Sequence, residues 1–296
     1  MSLTAISSEI EVIFGSKLLY PTYYYVELEE DGRTNVIIQL KNTYCSSVFS
    51  YSNSNSKSVE SFAALTFFTL ADSLIDNRFP NLEGMSLVRK CRELRNNADM
   101  IVKILSESFR ILRIVRNAVV HSSSQILSDG YYLEATTIGT NEEVKIKIDG
   151  LKKLYTIILL LIKILEEDNH SEYTKWLLNY YLNSSIASIE RFRDQIGNRS
   201  SLGNFLPASR ALSNHLRQLV LNNPFNILNN EIFLEDPYHP PGQESSFYRC
   251  DYMITYNGEN FLLPEEYLDP NNYKIPIAEL ENWKFDNFLK TITKLS

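Results

Sequence analysis

Hydrophobic residues recur at helical spacing through the middle of the chain. This period predicts five helices between residues 58 and 196. Shorter runs towards both ends alternate between apolar and polar residues, which is typical of strands. The predicted helices cover residues 58–76, 85–95, 99–121, 149–167 and 171–196.

The first 57 residues predict a small α+β segment followed by a linker. A short helix is predicted at 5–14, and two β-prone runs at 23–28 and 35–40 flank Asp31-Gly32, a dipeptide common in hairpin turns. A Ser/Asn-rich run then indicates a flexible connection that ends in a helix cap at Ser58. The sequence therefore places the start of a helical domain at residue 58.

The pattern changes twice more along the chain. Residues 130–148 alternate with a period of two, which predicts a hairpin on the surface of a helical bundle. Pro207, a favourable first-turn residue, predicts a helix at 207–221, and Asn257-Gly258 after the β-prone run 252–256 predicts a hairpin. We expect a mainly α fold: a helical domain at 58–200, then a C-terminal helix and an acidic, proline-rich α+β extension at 201–296.

The cysteines and the apolar runs bound the protein class. Cys45, Cys91 and Cys250 lie far apart and form no CxxC pair, so neither a disulfide framework nor a zinc site is predicted. The strongest apolar run, 154–165, is shorter than the roughly 18 residues that a membrane span needs, and Lys163 interrupts it. The N-terminus lacks the features of a secretory signal. We expect a cytoplasmic protein with no metal and no membrane partner.

Charge is distributed unevenly along the chain. The net charge of -7 argues against indiscriminate binding of nucleic acid, because Lys and Arg dominate affinity for phosphate. Residues 89–116 nevertheless carry eight basic and three acidic side chains, whereas residues 229–270 carry nine acidic and one basic. This asymmetry can mark a polyanion site and an acidic regulatory arm, or two unrelated solvated surfaces.

The predicted helix at 99–121 combines an apolar face with a basic one. At 100° per residue, five of its polar residues fall in a stripe about 80° wide, with Arg116 at the edge and apolar residues opposite. The pattern predicts that one face packs and that the other binds an anion. The stripe consists of Lys103, Arg110, Arg113, Asn117 and His121.

Three residues at the end of this helix suit cleavage of an RNA phosphodiester by its own 2′-hydroxyl. Arg116 can bind the phosphate in a bidentate manner, and His121 can transfer a proton near neutral pH. Asn117 lies four residues before His121, so the two are stacked neighbours on the helix. We therefore take these three as candidate catalytic residues, and Lys103, Arg110 and Arg113 as candidate RNA-binding residues.

The run from Arg116 to His121 resembles the motif of the HEPN superfamily, in which Arg and a polar residue precede a His. The resemblance covers residues 58–196. It implies an HEPN-like helical bundle, a homodimer whose two motifs form one cleft, and endoribonuclease activity that needs neither metal nor cofactor. Members frequently act in toxin–antitoxin or phage-defence systems, which implies an antitoxin or regulatory partner. On this sequence Arg116 and His121 would be catalytic, and Asn117 would orient them.

Two observations keep a second interpretation open. The same spacing recurs from Arg210 to His215 without the Asn, and Ser123 stands where many toxin members carry a modifiable Tyr. Some HEPN members are also catalytically silent. The alternative is a non-catalytic dimerisation and binding module, in which the basic stripe holds an anionic partner without cleaving it.

Overall fold

Both helices and sheets are prominent in the structure, a computed structural model that describes residues 2–30, 33–44, 57–121, 125–165, 170–203, 216–221, 223–238 and 248–286. The helices of this part are α1 (Leu3–Phe14), α2 (Lys57–Arg78), α3 (Leu87–Arg95), α4 (Met100–Val120), α5 (Ile148–Ile164) and α6 (Glu172–Ala187). Its strands are β1 (Leu19–Glu30), β2 (Arg33–Tyr44), β3 (Gln125–Ser128), β4 (Tyr132–Thr137), β5 (Glu142–Lys147), β6 (Ile189–Arg193), β7 (Leu216–Leu221), β8 (Phe225–Leu228), β9 (Glu231–Leu234), β10 (Tyr248–Tyr256), β11 (Glu259–Pro264) and β12 (Lys274–Pro276).

The chain divides into two units that do not follow its linear order. Unit 1 comprises residues 1–19, 44–168 and 181–205, and unit 2 comprises residues 20–43, 169–180 and 206–296. The division falls within β1, β2 and α6, so each of these elements has residues in both units. This differs from the three consecutive segments expected from the sequence.

Helix α4 is the central element of unit 1. It contacts α2, α3 and α5 and also the strands β3, β4 and β5. Asp99 caps its N-terminus by accepting a hydrogen bond from the Ile101 N–H at 2.8 Å. From Ile101 to Val115 only Lys103 is more than marginally exposed, so the helix is buried on almost every side.

The strands β3, β4, β5 and β6 form an antiparallel four-stranded sheet in unit 1. Its central pair confirms the hairpin predicted at 130–148. The hairpin is not merely a surface feature, however, because every second residue of β4 and β5 is buried. This alternation makes one face of the sheet part of the core and leaves the other towards solvent.

Unit 2 contains the other two sheets. One has the strand order β1-β2-β7-β10-β11, with β7 parallel to β10, and the other has the order β12-β9-β8. The predicted hairpin of β10 and β11 is confirmed, and its turn residues Asn257 and Gly258 both have positive φ, at 51° and 80°. Such angles are those of the tight turn that Asn-Gly favours.

The prediction of a mainly helical bundle is wrong: the described residues form a mixed α/β structure with three multistranded sheets. The helices predicted at 5–14, 58–76, 85–95, 99–121 and 149–167 are confirmed within three residues, and the β-prone runs at 23–28 and 35–40 lie inside β1 and β2. The linker, the Asp31-Gly32 turn and most of the predicted helix at 207–221 lie outside the described residues.

Two stretches predicted as helix are strands. The helix expected at 171–196 ends at Ala187, and β6 follows it and pairs with β5. The end of the helix expected at 207–221 is β7, which lies between β2 and β10. These runs have five and six residues, and periodicity alone does not separate a strand of this length from part of a helix. Among the described helices, none has the length and apolar character needed to cross a membrane.

A fully buried arginine joins the strands of unit 2. Arg217 on β7 donates from Nε to Asp251 Oδ2 on β10 at 2.9 Å and from Nη1 to Glu266 Oε1 at 2.7 Å. Tyr173 donates its hydroxyl to Asp251 Oδ2 at 2.7 Å. Burial opposes the charge of Arg217, but the adjacent carboxylates outweigh burial and raise its pKa well above the ordinary value.

Replacement of Arg217 with Met should destabilise unit 2 by about 3–5 kcal/mol, because the buried Asp251 and the partly buried Glu266 lose their counter-charge. The chain's two tryptophans, Trp176 and Trp283, are buried and both lie in unit 2, so the urea transition followed by their fluorescence reports on this unit. Lys274→Ala, which breaks the more exposed pair with Glu231, is the control and should cost about 1 kcal/mol or less. Equal midpoint shifts would contradict a special role for Arg217.

Candidate functional site

The three candidate catalytic residues lie at the C-terminal end of α4. Arg116 and Asn117 are half-buried and His121 is exposed. Arg116 donates from Nη1 to Asn117 Oδ1 at 3.2 Å, and its guanidinium carbon lies 5.8 Å from the centroid of the Phe68 ring on α2. The amide and the ring therefore hold the guanidinium of Arg116 at the surface end of the helix.

His121 is the residue at which α4 ends. Its backbone is extended, with φ -96° and ψ 121°, and its N–H donates to the Asn117 carbonyl at 3.1 Å. The structure thus joins Arg116 to Asn117 by a side-chain hydrogen bond and His121 to Asn117 through the backbone. An exposed imidazole five residues after an anchored guanidinium supplies the groups that proton transfer beside a bound phosphate requires.

The predicted RNA-binding residues do not share this position. Lys103 is half-buried, but it lies thirteen residues before Arg116, which is about 20 Å along a helix. Arg110 and Arg113 are buried, with 0% and 1% of their surface exposed. The expectation that these two arginines face solvent, where they could bind RNA, is therefore wrong for the described structure.

Arg110 and Arg113 instead belong to a buried ion-pair network. Arg110 binds Asp194 with two parallel hydrogen bonds, from Nε at 2.7 Å and from Nη2 at 2.8 Å. Arg113 donates from Nη2 to Glu142 at 2.6 Å and to Asp194 at 3.3 Å. The network connects α4 to β5 and to the turn that follows β6. Carboxylates from β5 and from the turn after β6 thus neutralise the charges of Arg110 and Arg113.

Further groups complete this network. Glu107 accepts from Arg110 at 3.1 Å and lies 3.3 Å from Arg95, whereas the Ser201 hydroxyl accepts from Arg110 at 2.8 Å. Gly197 is packed so closely that an added Cβ would lie 2.5 Å from the Ser201 hydroxyl oxygen. Little space remains there for a larger residue.

The environment shifts the pKa of the two carboxylates in opposite directions. Burial raises the pKa of Glu107, and the charges of Arg110 and Arg95 offset this only in part. Burial also acts to raise the pKa of Asp194, but the hydrogen bond and charge of Arg110, with the N–H groups of Gly197 and Ile196, lower it overall. Asp194 is therefore the ionised centre that holds both arginines.

Sequence reasoning missed Asp194 and Glu142. Their partners on α4 are far away in sequence, and the basic stripe alone does not show which strand faces it. One local feature could have indicated Asp194: it precedes Gly197 by three residues, and its Oδ1 accepts from the Ile196 and Gly197 N–H groups. Such a turn fixes the position of an aspartate.

The remaining candidates from the sequence add no second site. His215 and His239 lie outside the described residues, and within these residues no group of three His, Cys, Asp or Glu side chains is placed to hold a metal ion. Cys91 and Cys250 are both buried, and burial raises the pKa of each thiol to about 12. Neither thiol is therefore activated as a nucleophile.

Comparisons with family models, with curated protein sequences and with solved structures gave no significant match to this chain. The candidate site therefore stands on its residue types and its geometry.

Replacing each arginine in turn separates the structural from the exposed positions of α4. Arg110→Met should lower the free energy of unfolding by about 3–5 kcal/mol, because Asp194 and Glu107 lose a buried partner. Arg116→Met, on the same helix, should cost about 1 kcal/mol or less. Urea unfolding followed by far-ultraviolet circular dichroism measures both. Similar losses would contradict the assignment of Arg110 to the network and of Arg116 to the surface.

Acid should weaken the network through Asp194. Its folded pKa lies below the ordinary value of 3.8, so its stabilisation is present above that pH and is lost as pH falls through the folded pKa. The wild-type protein should therefore exceed Asp194→Asn in urea midpoint at pH 7, and this difference should narrow below pH 3.8. Glu107 is present in both proteins and changes the stability of both with pH, so the difference between them isolates Asp194. A difference independent of pH would contradict an ionised Asp194.

Proposed function

We propose that this protein is a metal-independent endoribonuclease of the HEPN type, with Arg116, Asn117 and His121 as its site. The observation that carries the proposal is the hydrogen-bonded pair of Arg116 and Asn117 one helical turn before an exposed His121. These are a phosphate ligand, its orienting amide and a proton-transfer group in one position. The resemblance of the run to the HEPN motif supports the same assignment.

The reaction we propose uses the RNA's own 2′-hydroxyl. Its oxygen attacks the adjacent phosphorus, the bond from phosphorus to the 5′-oxygen breaks, and the products carry a 2′,3′-cyclic phosphate and a 5′-hydroxyl. One guanidinium N–H of Arg116 is engaged by Asn117, which leaves the others for the phosphate oxygens as their charge grows. His121 delivers the proton that the leaving 5′-oxygen takes up.

A homodimer follows from this chemistry and from the HEPN resemblance. The step removes a proton from the 2′-hydroxyl and delivers one to the 5′-oxygen, whereas each chain offers one histidine in its motif. In a cleft shared by two copies, one imidazole would act as the base and the other as the acid. We propose a role as a growth-inhibiting toxin or phage-defence effector, controlled by an antitoxin or another regulatory protein.

The second candidate function is a binding module without turnover. The burial of Arg110 and Arg113 favours it, because the surface left for a polyanion is smaller than the sequence predicts. Under this alternative Arg116 holds an anionic partner and His121 is only the residue that ends α4. Loss of the His121 imidazole separates the two functions, because it removes turnover under the first and leaves binding unchanged under the second.

Labelled RNA in excess EDTA tests the proposal. The wild-type protein should cleave it, and His121→Ala should lower the rate by about 10²–10⁴-fold, the usual contribution of a general acid or base. RNA affinity of the variant should stay within about threefold of wild type, because the phosphate ligand Arg116 remains. His170→Ala, at a histidine in unit 2, is the matched control and should cleave normally. Equal turnover by His121→Ala, or no cleavage by the wild-type protein, would contradict the proposal.

A further inference from the structure

The solvent face of the sheet in unit 1 carries aromatic and basic side chains. Tyr131, just before β4, has 60% of its surface exposed, and Leu127 on β3 has 57%. Tyr132 is half-buried and lies directly opposite Lys147 in the register of β4 and β5. These residues lie on the side of the sheet that does not enter the core.

Two tyrosines and two lysines form a cluster on this face. The rings of Tyr131 and Tyr132 meet edge to face, with centroids 4.8 Å apart and planes at 84°. The ammonium of Lys145 lies 4.7 Å from the Tyr132 centroid, and that of Lys147 lies 5.6 Å from the Tyr131 centroid. Each ring is therefore next to a cation, while most of Tyr131 remains open to solvent.

The local backbone fixes the position of this cluster. The Asp129 carboxylate accepts hydrogen bonds from the N–H groups of Tyr131 and Tyr132, at 2.9 and 2.6 Å. These N–H groups lower the pKa of the Asp129 carboxyl, and the N–H of Tyr132 contributes most. The Tyr131 carbonyl in turn accepts from the Ile148 N–H at 2.9 Å. The backbone that carries Tyr131 is therefore held in place before any ligand binds.

Charged side chains surround the two tyrosines on this face. Three carboxylates each hold one cation: Glu190 with Lys145, Glu134 with Arg191 and Glu143 with Arg193. Lys147 forms no direct ion pair within the described part of the chain, although its charge helps to lower the pKa of Glu190. The face thus offers one cation that has no direct ion pair, next to an exposed aromatic ring. Single-stranded nucleic acid needs this combination, a phosphate contact beside a surface for base stacking.

We propose that this face binds single-stranded RNA, with a base stacked on Tyr131 and a phosphate held by Lys147. The inference rests on the proposed function, because it names how that site would receive its substrate. His121 precedes β3 by four residues, and Tyr132 lies four residues along β4 from the partner of Gln125. The chain thus limits the separation to about 33 Å. About ten nucleotides span this even at 3.4 Å each.

Fluorescence anisotropy with a labelled single-stranded RNA of about 15 nucleotides tests this proposal. Every protein in this experiment is the full chain with His121→Ala, so that the probe is not cleaved. Adding Tyr131→Ala should weaken binding by about fivefold or more, the usual loss for one stacked base. Adding Lys147→Ala should also weaken it and should reduce the slope of log Kd against log salt by about 0.7, one phosphate contact, whereas Tyr131→Ala should leave this slope unchanged.

Matched controls lie elsewhere on the chain. Phe62→Ala removes an aromatic side chain that is 62% exposed on α2, and Lys175→Ala removes a surface cation of α6. Both should bind the probe as the His121→Ala parent does. Thermal unfolding by circular dichroism establishes that the variants are folded. The proposal would be overturned if the Tyr131 and Lys147 variants bound as tightly as the His121→Ala parent, or if the controls lost as much affinity as these variants. Preference for a duplex of the same sequence would also overturn it.

The two proposals fail separately. If the wild-type protein cleaves RNA and the two sheet variants bind and cleave normally, the nuclease stands and the sheet face is not its RNA surface. If the wild-type protein does not cleave but the two variants lose binding as expected, the sheet face stands and the nuclease does not. A parent that binds no single-stranded RNA overturns the sheet proposal and leaves a protein partner as the occupant of that face.

Discussion

Burial of Arg110 and Arg113 against Asp194 and Glu142 is the interaction on which unit 1 depends. Removing such charges from water is costly, and the cost is recovered only when geometry and hydrogen bonding are good. The parallel hydrogen bonds from Arg110 to Asp194, and the short one from Arg113 to Glu142, meet that condition. A displacement of α4 from the sheet would leave buried charges without partners. The network therefore specifies one position of this helix as well as stabilising it.

This fixed position has a direct consequence for the candidate site. Arg116 follows Arg113 by three residues and Arg110 by six, on a helix whose apolar side chains pack against α2, α3 and α5. The interior arginines hold the helix, and the one at its end stays available at the surface. A rigid helix whose end carries Arg116, Asn117 and His121 presents them with little conformational freedom to lose on binding a phosphate.

The sequence predicted best where a pattern was long or a turn was specific. Helix α4 has 21 residues, a regular apolar face and Asp99 as its cap, so both of its ends could be predicted. The turn at Asn257-Gly258 was equally predictable, because few other dipeptides adopt its angles. The candidate residues Arg116, Asn117 and His121 follow from the same local reasoning, since they belong to one helix end.

The errors concern information that is not local. The strands β6 and β7 were predicted as helix because runs of five or six residues are too short for periodicity to decide, and their pairing with β5 and β10 decides the outcome. The burial of Arg110 and Arg113 could not be inferred from α4, because Asp194 lies more than 80 residues away and Glu142 about 30. A basic stripe indicates a polyanion site only when no carboxylate of the same protein lies against it.

The ends of the RNA products test the central claim most directly. The account predicts that a single 2′-deoxy substitution on the 5′ side of the scissile phosphate prevents cleavage there. It also predicts that mass spectrometry of the all-ribose products finds a 2′,3′-cyclic phosphate on one fragment and a 5′-hydroxyl on the other. Cleavage of the deoxy-substituted RNA, or fragments with a 5′-phosphate, would contradict 2′-hydroxyl chemistry at Arg116 and His121.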